Sequence, residues 1–318
     1  MKKFSFLFGL SLVFALATMA WQRSEKEMPW AFPVDPANIA KDRPIVKDDG
    51  KPKGLEGSTK MFTYDQINDH YGTPDWFPNA HPPFPKSVQF GRKPAFMACN
   101  FCHLASGLGH PESANIAGMP AAYMIRQMAD FKSGRRKDSE PMNAFAKVIN
   151  EQEIKEACDF YAGLKPAVFY KVVEATMVPK NYLDDEFMRL PRSSGEMEPL
   201  GNRIITLPQS QERTEKLDPR AGFTAYVPPG TLKKGEALVK TGAGKTVQCE
   251  ICHGPGLKGL GEVPRIAGLH PIYIMRQLYK FQNGKNNGDW APLMKGPVAK
   301  LTDDDILQIA AYVGSLAP

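Results

Sequence analysis

The sequence predicts a mainly α-helical protein, built from two tandem copies of one domain joined by a partly irregular connector. Three observations predict it. Residues 99–134 match residues 249–284 at a constant offset of 150. Within each copy, apolar and aromatic residues recur three and four apart, the spacing of a half-buried helix. Between the copies lies a Pro-rich stretch with no counterpart, whose two strand-like runs predict a β-hairpin.

The elements follow in chain order. Lys2 and Lys3 precede an uncharged apolar run over residues 4–20 that ends in small residues. This is the pattern of a secretory signal peptide over 1–20, cleaved after Ala20. An uncleaved anchor is the alternative, but the run is short for a full span, roughly 17 residues against about 20. Only that outcome would tie the chain to a membrane. Residues 21–60 are polar and Pro-rich and read as an extended lead-in. The first copy runs over 61–165. Its opening stretch carries Trp76, Phe77 and Phe84 and is expected to pack. The connector is 166–229, with strand-like runs at 170–173 and 203–207. The second copy is 230–318.

The repeat is dense. Cys99/Cys249, Cys102/Cys252, His103/His253, Gly118/Gly268, Tyr123/Tyr273, Arg126/Arg276, Gln127/Gln277 and Gly134/Gly284 all match. The offset then becomes 152, pairing Met142 with Met294 and Ile154 with Ile306. The slip falls in a polar loop, where insertion is tolerated. A middle helix is predicted over 120–132 and over 271–282, each closed by Gly. A last helix is capped by Thr302 in the second copy and Asn150 in the first. Ile306, Ile309, Ala310 and Val313 form its inner stripe, matched by Ile154, Ala157, Cys158 and Tyr161. Cys158 takes the place of Ala310 and reads as a small buried residue.

The chemistry lies in Cys99-Asn100-Phe101-Cys102-His103 and Cys249-Glu250-Ile251-Cys252-His253. Both are C-x-x-C-H, the signal for covalent attachment of a c-type haem. Two thiols three apart on one helical turn each add to a vinyl group of the same haem, and the adjacent His reaches the iron. The candidates for covalent attachment are therefore Cys99, Cys102, Cys249 and Cys252, and the cofactors are two covalently bound haem c groups. A four-cysteine zinc site would place its pairs closer, about 15–20 residues apart. A thioredoxin-like pair needs a βαβ context that is not visible. Disulfides leave the two histidines unexplained.

His103 and His253 are the proximal iron ligands on this reading. Haem iron in electron carriers is commonly closed by a Met sulfur. Met142 and Met294 sit at matched points, in a predicted loop before each last helix, and are the candidate sixth ligands. Core filling is their alternative role. His110 and His270 have no histidine counterpart and read as surface or structural residues, with His110 the substitute ligand for the first iron. His70 and His81 are weaker candidates. The carbonyl of Pro264, eleven residues after His253, is placed to accept the imidazole N–H. Ala114 holds the same place in the first copy. Arg126/Arg276 and Tyr123/Tyr273 bind propionates or pack helix surfaces.

Each copy resembles a class I cytochrome c domain. The order C-x-x-C-H, Ile-Ala-Gly, Tyr-x-x-Arg-Gln, Phe-x-x-Gly, axial Met and a closing helix resembles the diheme cytochrome c4-type proteins. Met294-Lys295-Gly296 and Ala310-Ala311-Tyr312 match the family in the second copy. The first departs, with Met142-Asn143-Ala144 and Asp159-Phe160-Tyr161. Its N-terminal helix is hard to place, whereas residues 234–238 supply one in the second. The long connector is not part of the usual two-lobed pattern.

The resemblance implies periplasmic electron transfer, with a donor such as a quinol-oxidising complex or a dehydrogenase and an acceptor such as a terminal oxidase. No catalytic residue is expected. The alternatives are a haem-bearing subunit of a dehydrogenase, or a diheme enzyme of the peroxidase or thiosulfate-oxidising type. The formal charge of +6 is a mild excess without a dense basic run, so no nucleic-acid partner is expected.

Overall fold

A computed structural model describes residues 28–32, 36–137, 141–168 and 170–318. Residues 1–20, read as a signal peptide, lie outside the described residues, as do 21–27 of the lead-in. Among the described residues no helix is long and apolar enough to cross a membrane.

The lead-in is tied down at its start. Met28, Ala31 and Phe32 are buried, and the Phe32 ring lies 5.5 Å from that of Tyr279 in the second copy. Further on, β1 (Lys53–Gly54) pairs antiparallel with β2 (Met61–Phe62). A capping box from Thr63 and Gln66 opens the single turn α1 (Tyr64–Ile67). Leu55, Ile67, Trp76 and Phe77 make a small core of their own, so the aromatics of this stretch pack as the sequence predicts.

The first copy continues with α2 (Lys86–Gln89), α3 (Cys99–His103), α4 (Ala121–Ser133), α5 (Met142–Val148) and α6 (Glu151–Ala162). Gly134, in the left-handed conformation at φ 74°, stops α4. Asn150 and Glu153 form the capping box that starts α6. Its stripe of Ile154, Ala157, Cys158 and Tyr161 is buried. The N-terminal helix that the sequence hides is the one turn α2, packed on α6.

The connector is ordered. It contains β3 (Tyr170–Glu174), β4 (Met177–Pro179), β5 (Asn181–Leu183), β6 (Arg189–Pro191), β7 (Met197–Pro199), β8 (Ile205–Pro208), α7 (Gln211–Glu215) and β9 (Phe223–Val227). Both expected runs are strands, β3 and β8, but they do not pair with each other. β9 lies between them, parallel to β3 and antiparallel to β8. It fits there because Phe223, Ala225 and Val227 alternate into the interior. The antiparallel hairpin is β5–β6, closed by residues 184–188.

The second copy holds α8 (Thr231–Thr241), α9 (Glu250–His253), α10 (Pro271–Gln282), α11 (Ala291–Val298) and α12 (Asp303–Ser315). α8 lies along α12, and the close approach is at Gly235, where any Cβ would overlap the Gln308 carbonyl. Thr302 and Asp305 cap α12 reciprocally, and Ile306, Ile309, Ala310 and Val313 are buried. α10 stops at Asn283, one residue before the expected Gly284. One hydrophobic cluster runs through both copies and takes in Phe32 and Val227.

Candidate haem-binding sites

The attachment motifs fall on short helices. α3 carries Cys99, Cys102 and His103, and α9 with the preceding Cys249 carries the second set. The two imidazoles are held alike. His103 Nδ1 is 2.9 Å from the Ala114 carbonyl oxygen, and His253 Nδ1 is 2.9 Å from that of Pro264. A carbonyl only accepts, so Nδ1 carries the proton and Nε2 keeps its lone pair for a metal. Burial pushes both imidazoles below their usual pKa and keeps them neutral.

Cys99, Cys102, His103 and Met142 line one cavity of about 940 Å³. Met119, Met124, Phe131 and Ile154 supply apolar wall. The Tyr161 hydroxyl is buried there without a partner. Burial pushes the Cys99 thiol up to about 12 and Cys102 up to about 11, and Cys249 also up to about 11. Burial thus disfavours the thiolate at these three sulfurs. A large apolar cavity, a free imidazole nitrogen, a thioether and a pair of thiols three apart fit a haem.

The second set is more open. Cys252 is exposed, while Cys249 and Met294 pack against the main hydrophobic cluster. Met142 and Met294 are not in loops as the sequence reading had them. Met142 opens α5 and Met294 lies within α11. Pro141 directly before α5 and Pro292 in the first turn of α11 pre-set the backbone for helix at both places.

The remaining candidates separate. His110 lines the first cavity, but Glu112 N–H donates to its Nδ1 at 3.3 Å and its Nε2 is 3.1 Å from Ser113 Oγ, so neither nitrogen is free. His270 is not on the surface. It is 4 % exposed and stacks on Tyr170 at 4.8 Å. His70 lines the first cavity with its ring against Phe101, and His81 stacks on Phe84. Arg126 and Arg276 each pair with a glutamate of the other copy. Tyr123 and Tyr273 pack against the main hydrophobic cluster, and with Gln127 and Gln277 they line the first cavity. They meet at the boundary, where Arg136 donates to Gln127, Tyr273 and Gln277.

Sequence reasoning missed the contribution of the non-repeated segments. Arg43–Val46 of the lead-in and Asp184–Met188, Leu217 and Phe223 of the connector also line the first cavity. A short acidic run followed by two apolar residues in a loop carries no signal of its own for such a role.

No protein-family model matches the chain. Over 75 residues it is 33% identical to cytochrome c-554(548) of Halomonas halodenitrificans, spanning 90% of that protein and 23% of this chain. The chain belongs to the c-type cytochromes. Cytochrome c4 of Stutzerimonas stutzeri is 26% identical over 227 residues, which are 69% of this cytochrome and 84% of that one. The thiosulfate dehydrogenase electron acceptor of Thiomonas intermedia is 23% identical over 225 residues, 70% of this cytochrome and 80% of that protein. This is a diheme cytochrome of the c4 type, with two covalently bound haem c groups, and it transfers electrons.

Proposed function

We propose that Cys99 with Cys102, and Cys249 with Cys252, each attach one haem, and that each copy, 61–165 and 230–318, holds one. His103 and Met142 would ligate the first iron, and His253 and Met294 the second. Bound haem supplies a one-electron change between iron(III) and iron(II). The protein's residues do the rest. Ala114 and Pro264 fix the tautomer and the direction of each imidazole. The soft thioethers favour iron(II) and raise the potential. The apolar wall of the first cavity keeps water from the iron.

The observation that carries this reading is the identical 2.9 Å imidazole–carbonyl bond at the same place in both copies. The setting is the periplasm, after removal of residues 1–20. The donor is a dehydrogenase or quinol-oxidising complex and the acceptor a terminal oxidase. Mass spectrometry of the mature protein should show two haem additions. The optical spectrum of the oxidised protein should show the weak long-wavelength band of Met–iron(III) ligation at an intensity that accounts for both haems. A single addition, or a high-spin spectrum, overturns the assignment.

A second reading has the protein bound to a thiosulfate-oxidising dehydrogenase as its electron acceptor. The relative of that name at 23% identity favours it. Co-purification of a dehydrogenase from the native membrane-free extract supports it, and migration as a lone monomer from the same extract opposes it.

A further inference from the structure

The two haem sites share a motif but not a setting, and the repeat makes the comparison internal. Phe101, between the cysteines of the first motif, is 8% exposed, whereas its counterpart Ile251 is 66% exposed. Asn100 is 1% exposed, while its counterpart Glu250 is half-buried. Leu108 is 6% exposed where its counterpart Lys258 stands in solvent. Phe101 and Ile251 are both apolar, so their difference in exposure comes from what each copy is packed against.

What covers the first site is the non-repeated chain. The His70 ring lies 4.3 Å from that of Phe101, and the His70 carbonyl accepts from Ala98 N–H at 2.8 Å. Trp76 Nε1 donates to the Lys216 carbonyl at 2.7 Å, and Ser106 Oγ to that of Pro219 at 2.8 Å. These bonds close residues 61–97 and the connector over α3 from two sides. The β5–β6 loop adds Phe187 and Met188 to the cavity wall, and Arg43 of the lead-in holds Asp185 of that loop at 3.3 Å.

We propose that lead-in and connector roof the first haem site, and that the second is the port where a partner protein docks and electrons enter and leave. The proposal rests on the haem assignment above. Its surface chemistry names the partner. Val247, Ile251 and Leu293, next to Cys249, Cys252 and Met294 in the chain, are 50%, 66% and 69% exposed. Lys258 and Lys295 stand exposed near the same residues in sequence. The roof, by contrast, presents Asp185 and Glu186 to solvent. The port therefore fits a redox protein with an acidic rim around an apolar centre, and the roof bars such a partner from the first motif by covering it. An electron from such a partner reduces the second iron from iron(III) to iron(II) and then passes to the first.

Two measurements on the diheme protein test this. The first is reduction at low ionic strength by reduced plant-type ferredoxin, an acidic iron–sulfur protein, followed by stopped flow. The double variant Lys258→Glu/Lys295→Glu should slow reduction of both haems about tenfold or more. The reversal Glu56→Lys/Asp65→Lys, at exposed acids of the covering segments that do not line the cavity, makes that face attractive to ferredoxin and should change the rate by less than about twofold. A roof reversal that accelerates reduction, or a port variant that leaves it unchanged, overturns the proposal. The second measurement needs no variant. A neutral gadolinium chelate should relax the haem methyl protons of the second site strongly and those of the first weakly, and equal relaxation overturns the roof. Failure of the haem assignment would show separately, as a wrong mass or spectrum in the unaltered protein.

Discussion

Arg276 Nη1 holds the Glu112 carboxylate at 2.7 Å across the boundary between the copies. The repeat exchanges the roles: Arg126, the counterpart of Arg276, holds Glu262, the counterpart of Glu112, at 2.8 Å. The backbone follows the same rule. Lys137 N–H donates to the Lys285 carbonyl and Asn287 N–H to the Arg135 carbonyl, both at 2.8 Å. The two copies thus meet face to face through equivalent surfaces, as subunits of a symmetric dimer do. That arrangement accounts for the repeat of Tyr-x-x-Arg-Gln in both middle helices, whose side chains take part in contacts across the boundary.

The two ion pairs should differ in weight. Arg276 and Glu112 side chains are 11% and 17% exposed, while Glu262 is 52% exposed. Removing one partner of a buried pair leaves an uncompensated charge, at a cost of about 3–5 kcal/mol. In the other pair Arg126 is 15% exposed but the Glu262 carboxylate reaches solvent, which screens the pair towards the surface value of about 0–1 kcal/mol. Arg276 also donates to the Ala31 carbonyl, so Arg276→Ala releases the lead-in as well. Denaturant unfolding should place Arg276→Ala at about 3 kcal/mol or more below the parent, and Glu262→Gln within about 1 kcal/mol of it.

The helix crossing of the second copy gives a sharper case. At Gly235 a methyl group would overlap the Gln308 carbonyl and crowd Tyr312. Backbone cannot move aside as a flexible side chain can, so α8 and α12 must separate. Gly235→Ala should cost about 3 kcal/mol in thermal or denaturant unfolding, despite the better helix propensity of Ala. An unchanged melting temperature would contradict the close crossing.

Much of this was legible from sequence because it depends on short-range chemistry. Thr302 with Asp305, Asn150 with Glu153, the inner stripe of α12 and the carbonyls of Pro264 and Ala114 all follow from spacing within a dozen residues. What was not legible depends on partners far along the chain. β9 separates β3 from β8, Phe32 reaches Tyr279, and Trp76 reaches Lys216. His270 read as surface or structural, and the choice was not legible because its burial against Tyr170 and Phe223 comes from the connector, which has no repeat to compare with. Cys158 is the opposite case, since its counterpart Ala310 announced a small buried residue. Cys158→Ala should therefore fold normally and keep stability within about 1 kcal/mol.

The sixth ligands make separable predictions. Met142→Ala should remove the part of the long-wavelength Met–iron(III) band that belongs to the first haem and leave the second unaltered, and Met294→Ala the reverse. Each variant should also lower the potential of its own haem, because loss of the thioether removes the ligand that favours iron(II). Redox titration with optical detection reads both effects. A Met142 variant with the parent spectrum would return this residue to core filling.

Asp184 gives the first site a dependence on pH. It lines the cavity, and its carboxylate accepts from the backbone N–H groups of Glu186 at 3.0 Å and Met188 at 2.7 Å. Burial outweighs those bonds, with Asp185 and Glu186 adding repulsion, and raises its pKa from 3.8 to about 7. The folded protein therefore holds a proton that the unfolded chain releases above pH 3.8, so the contribution to stability is greatest in acid and declines as pH rises to about 7. Above that point a carboxylate faces the first site and favours iron(III). The potential of the first haem should fall as pH rises through about 7, by an amount on the order of tens of millivolts. The second haem, whose attachment motif and Met294 lie outside the cavity that Asp184 lines, should not follow. Asp184→Asn should abolish the step while leaving the two-haem spectrum intact, and a step that survives the substitution would assign the proton to another group.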